Sequence, residues 1–119
     1  MDTMRQKVIR YYEDMVSQAP QYTPTAMAEL APGVIAVVDQ SGECDVCFDV
    51  HRWGFKDPQV WGPAESGSSQ LRDAQMNILP GKGFSSDISD IASMAIAAKE
   101  HLSPKDDAVW HDTPQYFEF

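Results

Sequence analysis

VIAVVDQSGECDVCFDV, residues 34–50, is the stretch that decides the fold of this chain. Its first part, residues 34–38, is β-branched and apolar apart from Ala36, as in a strand covered on both faces. The next four residues, DQSG, have the composition of a tight turn. Residues 43–50 then alternate with the period of a half-buried strand. The sequence therefore predicts a β-hairpin over about residues 34–50.

The alternation in the second strand of this hairpin assigns its side chains to two faces, because successive residues of a strand point to opposite sides. One face is apolar and belongs to the predicted core: Cys44, Val46, Phe48 and Val50. The other face carries Glu43, Asp45, Cys47 and Asp49, with Asp39 at its end. We therefore expect an exposed acidic face along this strand.

Helical periodicity appears in two long segments of the chain. Over residues 3–18 the large apolar side chains recur at helical spacing with charged residues between them, and Pro20 ends the pattern. A second apolar stripe, rich in alanine, predicts a long helix over about residues 87–102. A short helix is also predicted at residues 23–31, where Thr23 can cap a helix that starts at Pro24.

These elements predict an α+β fold, with a small antiparallel sheet around the central hairpin and both longer helices packed on one face of it. Short strands are expected near residues 60–61 and 75–79, and an edge strand at residues 115–119, although the pattern of residues 68–77 is ambiguous between a helix and a strand. The length of 119 residues suits a single domain over residues 1–119. Looser packing of the C-terminal tail, residues 103–119, is left open.

The charge of the chain is its strongest bulk property. The formal net charge is −9, and more than half of it falls in residues 21–50, which contain no basic residue. The acidic residues there are Glu29, Asp39, Glu43, Asp45 and Asp49. Direct binding of nucleic acid needs a basic surface and is not expected. A protein partner with a basic surface is expected instead, although acidity can also serve solubility alone.

The cysteines of the hairpin raise the question of a metal or redox site. Cys44 and Cys47 form a C-x-x-C pair with His51 close by, which is a pattern found in zinc sites. Residues three apart on a strand point to opposite faces, so one ion could not bind both sulfurs unless the strand were broken. We therefore predict no metal and no cofactor, and keep a zinc protein or an enzyme as the weakest alternative.

Aromatic residues follow the hairpin in a stretch rich in glycine and proline, residues 51–63. Trp53 and Phe55 lie there near basic side chains, so they are candidate anchors for a partner, with lids on the core as the alternative. The predicted partner-binding set is therefore Asp39, Glu43, Asp45, Asp49, Trp53 and Phe55.

The segment DQSGECDVCFD, residues 39–49, resembles the first hairpin of the type III secretion chaperones. Those are small acidic proteins that dimerise and hold segments of effector proteins. The resemblance implies a small acidic chaperone or adaptor that forms a homodimer. In size and acidity the chain is also similar to the inhibitors that phages and mobile elements direct at host defence systems, including anti-CRISPR proteins.

The leading hypothesis is a non-enzymatic protein-binding inhibitor. Its acidic surface would occlude a basic site, such as a nucleic-acid-binding site, on a larger partner. No apolar run approaches the ~18 residues of a membrane span, and the N-terminal sequence lacks the apolar core of a signal peptide. We therefore expect a cytoplasmic protein without membrane contact. The secretion-type chaperone is the first alternative.

Overall fold

The computed structural model describes residues 3–56, 70–83 and 90–119. A helix is followed by a short 3₁₀ turn (Pro20–Tyr22), a run of strands, a second helix and two short strands. The helices are α1 (Met4–Gln18) and α2 (Ile91–His101). The strands are β1 (Pro24–Ala31), β2 (Val34–Asp39), β3 (Cys44–Phe48), β4 (Trp53–Phe55), β5 (Gln70–Arg72), β6 (Ile78–Gly83), β7 (Leu102–Pro104) and β8 (Gln115–Tyr116).

The main sheet has six strands in the order β6-β5-β3-β2-β1-β8, and β4 pairs with β7 in a separate two-stranded sheet. Neighbouring strands are antiparallel except β3 and β5, which are parallel. The predicted α+β fold class is confirmed. The sheet is larger than the small antiparallel sheet expected from the sequence, and it is mixed, because the chain returns to β5 beside β3 after a long connection.

The predicted hairpin forms the centre of the sheet. β2 and β3 pair in antiparallel register, with Ile35 opposite Cys47 and Val37 opposite Asp45. The connecting turn contains Gly42 at a φ of 88°, a backbone conformation that suits glycine. Asp39 stabilises this turn, because its Oδ1 accepts hydrogen bonds from the backbone N–H groups of the residues at positions 41 and 43 at 2.9 and 3.1 Å.

The two helices lie on opposite faces of the sheet. Val34 and Ala36 of β2 belong to a buried cluster with α2, whereas Ile35 and Val37 belong to another cluster with α1. The prediction that both helices pack on one face is wrong. The reason is visible in β2 itself, since a strand that is apolar on both faces needs cover on both.

Residues 23–31 form a strand, so the predicted short helix is wrong. The segment contains good helix formers, but helix propensity is a weak preference that tertiary pairing overrides. β1 pairs with β2 on one side and with β8 on the other, and it buries Met27 toward α1 and Ala28 toward α2. A two-residue connection, Pro32-Gly33, joins β1 to β2, with Gly33 at a φ of 87°.

Each helix begins directly after a residue that caps its N-terminus. Thr3 caps α1 and exchanges hydrogen bonds with Gln6, and Asp90 caps α2 in the same way with Ser93. Both predicted long helices are therefore confirmed, although residues 87–89 lie outside the described part of the chain. The strand predicted at residues 60–61 also lies outside it.

The strand predicted at residues 75–79 is only partly right, because β6 begins at Ile78. The residues before it form a tight turn in which Asp73 Oδ1 accepts from the backbone N–H groups of Gln75 and Asn77, both at 2.9 Å. Met76 has a φ of 67° within this turn. A local side-chain bond to the backbone thus replaces the first half of the expected strand.

The C-terminal tail runs back along the sheet. β7 pairs with β4, the ring of Trp110 lies 4.7 Å from that of Trp53, and the backbone N–H of Phe117 donates to Met27 O at 3.1 Å. β8 is an edge strand beside β1, as the sequence predicts. Neither described helix is long and apolar enough to cross a membrane.

Candidate functional site

The row of carboxylates on β3 is not an exposed face. Asp45 is 4% exposed, Asp39 is 5% exposed and Cys47 is fully buried. The alternation of side chains between two faces holds, but α1 covers the face that was expected to meet solvent. The prediction of an exposed acidic face is therefore wrong, and its physical cause is the position of this helix.

The acidic row is also divided between the two ends of β3. Asp39, Glu43 and Asp45 line one cavity beside α1. Asp49 lies at the other end, where its Oδ1 accepts from the backbone N–H of His51 at 2.9 Å and its own N–H donates to Gly33 O. Three of the four predicted carboxylates come together, and Asp49 belongs to a turn away from them.

The two candidate aromatic anchors are part of the packed interior. Trp53 is 1% exposed, and its indole Nε1–H donates to Pro32 O at 2.8 Å. Phe55 is half-buried and lies edge-on to Phe48, with the ring centres 5.6 Å apart. Neither residue adjoins the cavity of the carboxylates, so the structure does not unite the predicted partner-binding set.

The cysteines point to opposite faces of β3, as the alternation predicts. Cys44 packs in the cluster under α2, and Cys47 packs in the cluster under α1. Burial raises the pKa of Cys44 to about 11, and burial raises the pKa of Cys47 further still. His51 is exposed on a turn. Within residues 3–56, 70–83 and 90–119, no group of three His, Cys, Asp or Glu residues could hold a metal ion.

The cavity of the carboxylates lies between α1, the 3₁₀ turn, the β2–β3 turn and the end of β5. Its volume is about 240 Å³. It is lined by acidic, aromatic and apolar groups and by one guanidinium: Asp39, Glu43, Asp45, Tyr12, Tyr22, Met15 and Arg72. This acidic cavity is the candidate functional site.

Asp45 is the central group of the acidic cavity. Its Oδ2 accepts a hydrogen bond from the Tyr12 hydroxyl at 2.7 Å and another from Arg72 Nε at 3.3 Å. Its Oδ1 is buried and has no hydrogen-bond partner among the described residues. Buried polar atoms in proteins are nearly always hydrogen-bonded. An acceptor buried without a donor in this way destabilises the folded state.

Arg72 is held on several sides. Besides the bond to Asp45, its Nη1 donates to Met76 O at 2.9 Å, and its guanidinium lies 5.0 Å from the ring centre of Tyr11. Burial alone would lower the pKa of Arg72, but the charge of Asp45 and the neighbouring tyrosine hydroxyls raise it overall. Arg72 is therefore a permanent cation tied to one oxygen of Asp45.

Two carboxyl groups of the cavity, those of Asp45 and Glu43, have raised pKa values. Burial raises the pKa of Asp45, although the hydrogen bond from Tyr12 and the charge of Arg72 oppose it. Burial also raises the pKa of Glu43, and the charges of Asp45 and Asp39 add to this shift. Burial is the largest cause of both shifts, so the raised pKa values reflect mainly the loss of hydration of the two carboxylates.

Sequence reasoning missed Tyr12, Tyr22 and Arg72 as members of the site. Tyr12 lies on the apolar stripe of α1, where the pattern identifies it only as core. Its hydroxyl was a usable signal, because a buried tyrosine normally finds a hydrogen-bond partner. Arg72 lies in a stretch whose pattern is ambiguous between helix and strand, and nothing local to it indicates Asp45 as its partner.

Comparisons with protein-family models, with curated proteins and with solved structures find no match to this chain. The geometry and charge of the acidic cavity are therefore the main indications of function in this chain.

Proposed function

We propose that this protein is a non-enzymatic protein-binding inhibitor that occludes a basic site, such as a nucleic-acid-binding site, on a larger partner. The observation that carries the proposal is the gathering of Asp39, Glu43 and Asp45 around one cavity, where Arg72 is the cation among the described lining residues. The contact would centre on this acidic cavity and not on a flat row of carboxylates along β3.

The charge of the whole chain supports a basic partner. A net charge of −9 creates a negative field that attracts positive surfaces and speeds their encounter. Exposed carboxylates extend this field beyond the cavity, among them Glu13 and Asp14 on α1. Long-range attraction of this kind is screened by salt, so the affinity should fall as the salt concentration rises.

The first experiment identifies the partner and tests the sign of its charge. The tagged protein is used to purify interacting proteins from its source cells at low salt, and affinities for purified candidates are then measured over a range of salt. We expect a partner with a basic surface, an affinity that falls with salt, and loss of the partner's activity in the complex. A partner that binds equally well at high salt, or one that keeps its activity, would contradict the proposal.

The second experiment uses variants on the surface outside the cavity. The double variant Glu13→Lys, Asp14→Lys reverses exposed charges of α1 and should slow association with a basic partner. The matched control Glu13→Gln, Asp14→Asn changes the same positions without introducing positive charge and should have a smaller effect. Equal association rates for the wild type and the double lysine variant would count against electrostatic attraction.

A further inference from the structure

We infer that residues 107–119 form a strap that opens as one unit while the rest of the protein stays folded, and that Glu29 is its latch. This C-terminal strap lies along β1 and includes β8. Three features of the molecule support the inference: the exposure of the strap, the few groups that hold it, and the strand that it covers.

The strap contributes no buried residue to the fold. Leu102 of β7 is the last buried residue of the chain, and every residue from 107 to 119 is half-buried or exposed. Tyr116 is 63% exposed although it lies in β8. In the central hairpin, by contrast, every residue of β3 is buried. Segments with few buried contacts open locally at a lower free energy than the whole protein, so the strap should open first.

The segment before the strap is anchored independently of it. β7 pairs with β4, and the backbone N–H of Lys105 donates to Arg52 O at 2.7 Å. Lys105 Nζ donates to Val50 O at 2.9 Å, and Arg52 Nε donates to Asp106 Oδ2 at 3.2 Å. All these bonds precede residue 107 and can persist when the strap opens. The boundary of the strap therefore lies just after Asp106.

Glu29 of β1 holds the strap through both of its carboxylate oxygens. Its Oε1 accepts from His111 Nε2 at 2.8 Å, and its Oε2 accepts from Arg5 Nε at 3.3 Å. Arg5 of α1 in turn donates from Nη2 to Gln115 Oε1 at 3.1 Å, and its guanidinium lies 5.1 Å from the ring centre of Phe117. One carboxylate thus organises the contacts to three residues of the strap.

The latch is charged and partly shielded from water. Burial would raise the pKa of Glu29, but the hydrogen bonds from Arg5 and His111 lower it overall. Glu29 is therefore a carboxylate at neutral pH. Its side chain is only 19% exposed, so its bonds should contribute more than those of a fully exposed ion pair.

Opening of the strap changes the edge of the main sheet. β8 is the outermost strand beside β1, and the backbone N–H groups of His111 and Phe117 donate to Leu30 O and Met27 O at 2.9 and 3.1 Å. Without the strap, β1 becomes the edge strand and these two acceptors are unpaired. Free strand edges pair readily with other chains. The latch therefore controls whether this edge of the sheet is covered.

The test is amide hydrogen exchange of the full chain, followed by NMR under native conditions. The amides of His111 and Phe117 report on the strap, and the hydrogen-bonded amides of β2 and β3 report on the whole protein. We expect similar protection factors for the two strap amides, at least about a hundredfold below those of the hairpin. Protection equal to that of the hairpin, or strap amides that differ from each other by more than about tenfold, would overturn the inference.

The matched variants are Glu29→Gln and Glu13→Gln. Glu29→Gln removes the charge of the latch and keeps the size of the side chain. It should lower the protection of His111 and Phe117 together by about tenfold relative to the hairpin, the size expected for one hydrogen bond to a charged group. Glu13 is exposed on α1 outside the latch, so Glu13→Gln should leave both amides unchanged.

A second variant tests the latch from the side of the strap. Gln115→Ala removes the hydrogen bond to Arg5 at an exposed position, so the fold should persist even if Glu29→Gln does not fold. It should lower the protection of both strap amides by a smaller factor and leave the hairpin unchanged. Protection of the strap that stays at the wild-type level in Gln115→Ala would refute the latch.

Discussion

The two faces of the main sheet are covered by one helix each, and they differ in what is buried there. Under α2 the interior is apolar and includes Val46, Ile91 and Met94. Under α1 an apolar cluster stands beside the buried pair of Asp45 and Arg72. A buried ion pair is seldom the most stabilising choice for a core position. The α2 face is therefore a uniformly apolar core, whereas the α1 face combines an apolar core with a buried charged pair.

The largest difference between the faces should appear when the ion pair is broken. Arg72→Ala leaves Asp45 buried without its cation, so we expect the free energy of unfolding to fall by about 3–5 kcal/mol at neutral pH. Without Arg72 the folded-state pKa of Asp45 rises further. The destabilisation should therefore shrink as the pH falls through that pKa, because the protonated carboxyl is neutral. Urea unfolding at neutral and mildly acid pH measures both effects.

The control for that prediction is Arg72→Ala combined with Asp45→Ala, which removes both charges. This double variant should be less pH-dependent than Arg72→Ala alone. A loss for Arg72→Ala that is small, or that stays constant from neutral to acid pH, would show that Asp45 is not a buried charge in the folded protein.

Truncating a side chain on the α2 face should lower the free energy of unfolding nearly as much as Arg72→Ala does, but by an amount that does not depend on pH. Met94 is fully buried in the apolar cluster, so Met94→Ala should lower the free energy of unfolding by about 3 kcal/mol through lost contacts and a cavity. The same unfolding experiment at both pH values measures it. A pH-dependent deficit like that of Arg72→Ala would contradict the distinction between the two faces.

A smaller effect is expected when only the hydrogen bond to Asp45 is removed. Tyr12→Phe deletes the hydroxyl that donates at 2.7 Å and should lower the free energy of unfolding by about 2 kcal/mol, the range for bonds to charged groups. Tyr22→Phe is the matched control, because Tyr22 lines the same cavity and its hydroxyl has no hydrogen bond among the described residues. Equal losses in the free energy of unfolding for the two variants would show that the hydrogen bond from Tyr12 to Asp45 adds no stability.

The smallest difference concerns the cysteine that each face buries. The pKa of Cys44 is raised to about 11 and that of Cys47 is also raised by burial, so both thiols stay protonated at neutral pH. We expect neither to react measurably with a thiol reagent in the folded protein and both to react after unfolding. Rapid labelling of Cys47 in the native state would mean that α1 does not cover its face of the sheet.

The sequence predicted the elements whose signals are local. The apolar period and the capping residue Thr3 identify α1, and the apolar run, turn and alternation over residues 34–50 identify the central hairpin. Residues 23–31 were assigned wrongly because their helix-forming composition is local, whereas pairing with β2 and β8 is not. A segment was assigned correctly where interactions within it determine its secondary structure, and wrongly where pairing with distant strands does.

The candidate site was predictable only in part for the same reason. Alternation along β3 separates Asp45 from its neighbours correctly, but it cannot tell which of two faces a helix will cover. The sequence therefore placed Asp45 in solvent. Arg72 and Tyr12 reach it from segments far away in the chain, and no pattern within either segment indicates that contact.

The most direct test of the acidic cavity as the contact for a basic partner is the pKa of Glu43, measured by carboxyl-carbon NMR with and without N-acetyl-arginine amide as a model of a basic side chain. Burial and the neighbouring carboxylates should place this pKa above the usual range for glutamate. A bound guanidinium favours the charged carboxylate, so the probe should lower the pKa of Glu43, and binding should weaken as the pH falls through it. A Glu43 carboxyl that titrates in the usual range and does not respond to the probe would contradict the account.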